Sequence, residues 1–188
     1  MERFEISETY RKYFIVIKLK NGSFYTVWGT DLSDEDNDKL LVKNKKLLLF
    51  KTTETFIVQI SNYRDAFFDR QNFENWISEE SFQETYNLIN IGSLMKFSES
   101  DLSNKETALE IIDALNLIQD LFIQVHEEEA VFSSELILKF KDILYNNHFW
   151  KSDNYDSNKI DIIDPEFNKI RILLKKIYNL FIKRIQFI

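Results

Sequence analysis

The chain has 188 residues, a length that suits one domain with its own hydrophobic core. It contains no cysteine, which excludes disulfides and cysteine nucleophiles, and its three glycines cannot supply the glycine-rich phosphate loops of nucleotide-binding folds. The net charge of −7 makes nucleic acid an unfavourable partner and a basic protein a favourable one. No segment resembles a signal sequence or a membrane span of about 20 apolar residues, so we expect a cytoplasmic protein without membrane insertion.

The first half of the chain carries strand patterns separated by turn signals. Tyr13–Lys20 and Ser23–Trp28 flank Asn21–Gly22, the strongest short hairpin signal, and predict a β-hairpin. Leu40–Val42 and Leu47–Lys51 flank the polar run KNKK and predict a second hairpin. A helix over residues 40–50 is the competing interpretation, because leucine and lysine favour helix.

Phe56–Ile60, FIVQI, predicts a further strand. The aromatic-rich segment from Tyr63 to Gln83 predicts one or two short helices, and the segment from Thr85 to Phe97 is either a last strand or irregular. These elements predict an antiparallel β-meander of about four to five strands.

The second half shows helical periodicity. Ser103 and Glu106 match a capping box, and the apolar residues that follow recur at three- and four-residue spacing to about His126. A second helix is predicted near residues 134–145. A last helix begins at Asp164–Pro165, and its apolar stripe is formed by Phe167, Ile170, Leu174, Ile177 and Phe181.

Strands first and helices second predict an α+β fold, with about three or more C-terminal helices packed on the meander. We expect a single domain over residues 1–188. The change of pattern also allows two lobes within it, a β-rich lobe over residues 1–98 and a helical lobe over residues 99–188.

The most unusual stretch is TDLSDEDND, which places five carboxylates within nine residues. They belong to Asp31, Asp34, Glu35, Asp36 and Asp38. An EF-hand loop that began at Asp34 would need glycine at its sixth position and glutamate at its twelfth, and both positions hold lysine. A solvated turn between strands and a docking surface for a basic partner therefore remain the two main interpretations.

Catalytic and metal-binding patterns are weak. His126 and Glu129 lie one helical turn apart, but a zinc site needs three protein ligands and no third one follows from the spacing. The two histidines lie in no recognisable nucleophile motif. We assign no catalytic residue, no metal and no cofactor. A metal- or carboxylate-dependent enzyme that uses this pair or the acidic stretch stays an alternative.

Aromatic residues among acids are typical of binding hot spots. Trp76 is followed by Glu79 and Glu80, and Trp150 and Tyr155 lie in a polar, acidic loop. We include these five residues with the acidic stretch as candidate contacts for a partner. The simpler interpretation of each tryptophan is a core anchor at the end of an element.

The last helix is basic, with six Lys or Arg residues against one acid from Glu166 onward. It could contact nucleic acid or an anionic membrane, although such a helix more often packs on a core with its lysines in water.

The character of the whole chain resembles that of immunity proteins of bacterial polymorphic-toxin systems. It is small, acidic and α+β, and its acidic patches read DLSDEDND, SEES and HEEEA. The resemblance implies a non-catalytic inhibitor that binds a cognate toxin with a basic surface by charge complementarity. The basic last helix departs from a uniformly acidic surface.

Overall fold

The protein is described by a computed structural model over residues 4–98, 104–126, 131–148 and 164–188. Its architecture confirms the α+β class. The helices are α1 (Glu5–Tyr10), α2 (Thr53–Gln59), α3 (Arg70–Glu79), α4 (Ser93–Lys96), α5 (Lys105–Gln124), α6 (Glu135–His148) and α7 (Asp164–Lys183). The strands are β1 (Lys12–Leu19), β2 (Gly22–Asp31), β3 (Asn37–Leu40), β4 (Val42–Lys43), β5 (Lys46–Leu49), β6 (Asn87–Asn90) and β7 (Ile185–Phe187).

Both predicted hairpins are present. β1 and β2 pair antiparallel with Leu19 opposite Gly22, whose φ of +148° suits glycine because it has no Cβ. β4 and β5 pair around Asn44 and Lys45, which both adopt positive φ. The competing helix over residues 40–50 is therefore wrong.

The strands form two sheets, which corrects the prediction of one continuous meander. The larger sheet has the order β3-β2-β1-β6, and its edge strand β6 runs parallel to β1. The smaller sheet has the order β4-β5-β7, and β7 at the end of the chain runs parallel to β5. Parallel neighbours distant in sequence leave no local turn signal, so the sequence does not reveal this pairing.

The predicted strand Phe56–Ile60 is wrong, because this segment lies in α2 and the 3₁₀ turn that follows it. Thr52 caps the helix by accepting a hydrogen bond from the Thr55 amide at 3.1 Å. Phe56 and Ile60 are buried, whereas the two residues after Phe56 are exposed. Buried residues four positions apart, with exposed residues between them, are the pattern of a helix and not of a strand.

The C-terminal helices follow the sequence closely. In α5 the cap is Asn104, which accepts from the Thr107 amide at 3.0 Å, and Ser103 of the predicted capping box lies outside the described residues. α7 begins at Asp164, and the whole predicted apolar stripe from Phe167 to Phe181 is buried. The exposed lysines of α7 thus lie on the opposite side from the core.

The larger sheet carries an apolar core on each face. Ile15, Ile17 and Leu19 of β1 pack with α5, α6 and α7, whereas Phe14 packs with the aromatic cluster of α2 and α3. Burial on both faces explains why β1 is almost continuously apolar. Residues from both predicted lobes meet in the first of these cores.

Candidate functional site

The acidic stretch connects β2 to β3. Asp31 is paired with Asn37 at the base of the connection, and the Asp34 amide donates to the Asp31 carbonyl at 3.1 Å. Glu35 and Asp36 both adopt left-handed backbone conformations, with φ of 52° and 56°. The connection is a tight turn of defined geometry rather than a calcium loop.

Asp31 is a buried anchor of this turn. Its carboxylate accepts hydrogen bonds from the Phe68 amide at 2.6 Å and the Asp69 amide at 3.1 Å, and Lys39 Nζ lies 3.0 Å away. Burial alone would raise the pKa of Asp31, but the Phe68 amide, the Lys39 ammonium and the Ser33 amide hold that pKa below its usual value. Its prediction as a partner contact is therefore wrong, because the residue is fully buried.

A second buried ion pair, Lys12–Asp69, holds the same region in place. Lys12 Nζ lies 2.8 Å from Asp69 Oδ2 and also donates to the Thr30 carbonyl. The same Asp69 oxygen accepts from the Leu32 amide at 3.1 Å and from the Asn72 side chain at 3.0 Å. These bonds join β1, the acidic turn and the start of α3, so the turn has little freedom to move.

The remaining acids of the stretch face solvent. Glu35, Asp36 and Asp38 are exposed, and Asp34 is partly exposed. Asp34 lies 2.7 Å from Lys39 Nζ, and Asp38 accepts a hydrogen bond from the Thr30 hydroxyl at 2.8 Å. The turn therefore presents a fixed acidic surface.

A groove of about 480 Å³ separates this turn from the C-terminal end of α5. Two large apolar side chains line it in exposed positions, Phe68 at 71% exposure and Ile123 at 61%. Lys39 Nζ lies 3.6 Å from the centre of the Phe68 ring and supports it by a cation–π contact. The groove places these two apolar side chains beside the acidic turn, and its own charged lining is mixed, with Asp34 and Asp38 against Lys39 and Lys45. We call it the acidic groove, and its lining includes Asp34, Asn37, Asp38, Lys39, Lys45, Phe68, Ile123 and His126.

The far wall of the acidic groove is also fixed. The Gln124 side-chain amide donates to the Leu40 carbonyl at 3.0 Å and accepts from the Leu40 amide at 2.9 Å. This double hydrogen bond attaches the end of α5 to β3. Both walls are therefore held by internal hydrogen bonds before any partner arrives.

The other predicted contacts have mixed outcomes. Trp76 is fully buried in the aromatic cluster, so its prediction as a surface contact is wrong and the core-anchor interpretation holds. Glu79 accepts from the Tyr10 hydroxyl at 2.5 Å and Glu80 accepts from the Ser7 hydroxyl at 3.0 Å. These bonds attach α1 to α3, away from the acidic groove. Trp150 and Tyr155 lie outside the described residues.

The sequence patterns do not predict that Phe68 and Ile123 line a groove, although His126, which also lines it, belongs to a candidate metal pair. Their chain neighbours Phe67 and Phe122 are buried, so apolar character alone does not distinguish the exposed member of each pair. Glu129, proposed with His126 as a metal pair, lies outside the described residues. Among the residues that are described, no group of three or more His, Asp or Glu side chains could hold a metal ion.

No protein-family model matches the sequence. No curated protein matches it at significant similarity. The fold resembles that of a solved structure described as "The crystal structure of SatS c-terminal domain in complex with bromine", with a TM-score of 0.63 and 13% sequence identity. The similarity covers 100% of this chain and 98% of that one, and at this identity it shows a shared fold alone. Within the described ranges, no helix is both long enough and apolar enough to cross a membrane.

Proposed function

We propose that the protein is a non-catalytic binding module whose acidic groove receives the basic surface of a partner protein. The observation that carries this proposal is the exposure of Phe68 and Ile123 in a groove that adjoins the fixed acidic turn. More specifically, we propose a cytoplasmic immunity protein that binds and neutralises a cognate bacterial toxin.

The chemistry of the groove supports a protein partner. Protein interfaces combine a desolvated apolar centre with a polar rim, and charge complementarity at the rim accelerates association and selects the partner. Because internal hydrogen bonds already fix both walls, binding incurs little cost in ordering the turn. An inhibitor that must act quickly on a basic enzyme benefits from both properties.

Co-expression tests the immunity assignment. The gene directly upstream should encode the toxin, and its product alone should arrest bacterial growth. Co-expression of this protein should restore growth, and the two purified proteins should form a stoichiometric complex that survives moderate salt. Growth arrest that persists during co-expression, or the absence of a complex, would refute the assignment.

The position of the interface is tested by a matched pair of substitutions. Ile123→Ser in the groove should weaken the complex about tenfold or more, because the complex loses an apolar side chain that the partner would bury. Ile172→Ser on α7 is the control, since Ile172 is similarly exposed at 67% and also lies on a helix. Equal affinities of the two variants, measured by calorimetry, would place the interface elsewhere.

A further inference from the structure

The solvent-exposed side of α7 is cationic, although the whole chain carries a net charge of −7. Residues 167–188 contain no acid, and Glu166 at the start of the helix is paired with Lys139 of α6 at 2.9 Å. The exposed cations of α7 make no ion pair with any residue that the structure describes. We call this surface the basic face, and its cations are Lys169, Arg171, Lys175, Lys176 and Lys183.

Helical spacing arranges most of the basic face as a row along α7. Residues separated by three, four and seven positions share one side of a helix, and the row contains Lys169, Ile172, Lys176 and Lys183. At a rise of about 1.5 Å per residue, the row extends about 21 Å from its first lysine to its last. Beside it, Arg171 and Lys175 are four residues apart, a spacing at which like charges destabilise a helix. An anionic partner would relieve this repulsion.

Two isoleucines are exposed among these cations. Ile172 is 67% exposed within the row, and Ile182 is 38% exposed near its end. They are ten residues apart, so they do not form the single apolar centre that protein interfaces have. A nucleic acid would compensate the charges but leave both isoleucines in water, and no exposed residue described on α7 is an aromatic on which bases stack. An anionic lipid surface satisfies both features, because its charge attracts the cations and its headgroup region accepts apolar side chains.

We infer that the basic face binds the surface of an anionic lipid bilayer, with α7 lying along the bilayer and not crossing it. Each Lys or Arg near such a surface adds to the attraction, and the five cations of the basic face act together. Acids elsewhere on the protein oppose binding weakly once they lie beyond the screening length of about 8 Å at physiological salt. The inference goes beyond the proposed function and does not depend on it, because no residue of α7 lines the acidic groove.

Co-sedimentation of the purified full chain with lipid vesicles tests the inference. Vesicles of phosphatidylcholine alone are compared with vesicles of seven parts phosphatidylcholine to three parts phosphatidylglycerol. We expect binding to the anionic vesicles to be about tenfold stronger or more, and to weaken as the salt concentration rises. Equal binding to the two compositions, or no binding to either, would overturn the inference.

Two charge reversals of equal size locate the contact. Lys175→Glu with Lys176→Glu should weaken binding to the anionic vesicles about tenfold or more. Lys18→Glu with Lys20→Glu is the control, because both lysines are exposed at the end of β1 and the net charge changes equally. The control should bind much more tightly than the α7 variant. Equal weakening by the two variants would mean general charge attraction and would refute a contact through the basic face.

Ile172→Ser distinguishes a bilayer from other polyanions. It should weaken binding to the anionic vesicles about threefold, because the isoleucine enters the headgroup region, and it should leave binding to a DNA duplex unchanged. A variant that binds these vesicles as tightly as the wild type would contradict the contact. If a DNA duplex binds more tightly than the anionic vesicles at the same salt concentration, the basic face is a nucleic-acid surface and the inference fails. None of these outcomes changes the test of the toxin complex, which contains no lipid.

Discussion

At the scale of single residues, the buried Lys12–Asp69 pair is a site where one substitution should destabilise the fold strongly. Lys12→Met would leave the Asp69 carboxylate buried without its counter-ion, and we expect the free energy of unfolding to fall by about 3–5 kcal/mol. Urea unfolding measures this loss. Adding Asp69→Asn to Lys12→Met should recover part of it, because the uncompensated charge is then removed.

Arg70 supplies the control for this prediction, because it is exposed and pairs with Asp65 at 3.1 Å and with Glu74 at 3.0 Å. Arg70→Met should cost no more than about 1 kcal/mol, as expected for ion pairs in water. If Lys12→Met were as mild as Arg70→Met, the buried network would not be what fixes the acidic turn.

Asp120 of α5 gives a second prediction at this scale, and its sign follows from its pKa, which burial raises to about 7. Between the unfolded pKa near 4 and the folded value, the folded state binds more protons than the unfolded state. Stability should therefore fall as the pH rises from about 4 to about 7, by at most about 1.4 kcal/mol per pH unit from this group. Asp120→Asn should remove this slope, as measured by urea unfolding at several pH values. If the Asp120→Asn variant kept the wild-type dependence of stability on pH, the raised pKa of Asp120 would be contradicted.

At the scale of elements, β7 closes the smaller sheet. The Leu47 amide donates to the Arg184 carbonyl at 2.7 Å and the Ile188 amide donates to the Leu49 carbonyl at 2.9 Å. Deletion of residues 185–188 should cost about 2–4 kcal/mol, since several backbone hydrogen bonds and the Phe24–Phe187 contact are lost. Gln186→Ala is the control, because it keeps the backbone intact. If thermal unfolding places both variants at the wild-type midpoint, β7 does not support the sheet.

The elements also show what the sequence can and cannot predict. Hairpins and amphipathic helices were found because their signals are local, as in Asn21–Gly22 and the stripe of α7. The strand predicted over Phe56–Ile60 is wrong because five apolar-rich residues fit a strand and a helical turn equally well, and only their burial in the fold distinguishes the two. The positions of β6 and β7 depend on parallel pairing between distant segments, which no local pattern encodes.

At the scale of the whole molecule, the sequence indicated where the charge is concentrated but not which charges reach the surface. Asp31 belongs to the acidic stretch yet is buried, because two amides and Lys39 surround its carboxylate. Phe68, which the sequence gives no reason to select, is exposed beside it. The candidate groove therefore emerges from tertiary packing of the acidic turn against the end of α5.

The measurement that tests the acidic groove most directly is the association rate with the purified partner at low and moderate salt. Glu35→Lys with Asp36→Asn alters the exposed acids of the turn that adjoins the groove and is called the groove variant. It is compared with Glu135→Lys and Asp142→Asn on α6, which change the net charge equally. Asparagine tolerates the left-handed conformation at position 36. Charge steering at the groove predicts that only the groove variant associates more slowly, about tenfold at low salt and less at moderate salt. Equal rates for the two variants would contradict the groove as the binding surface.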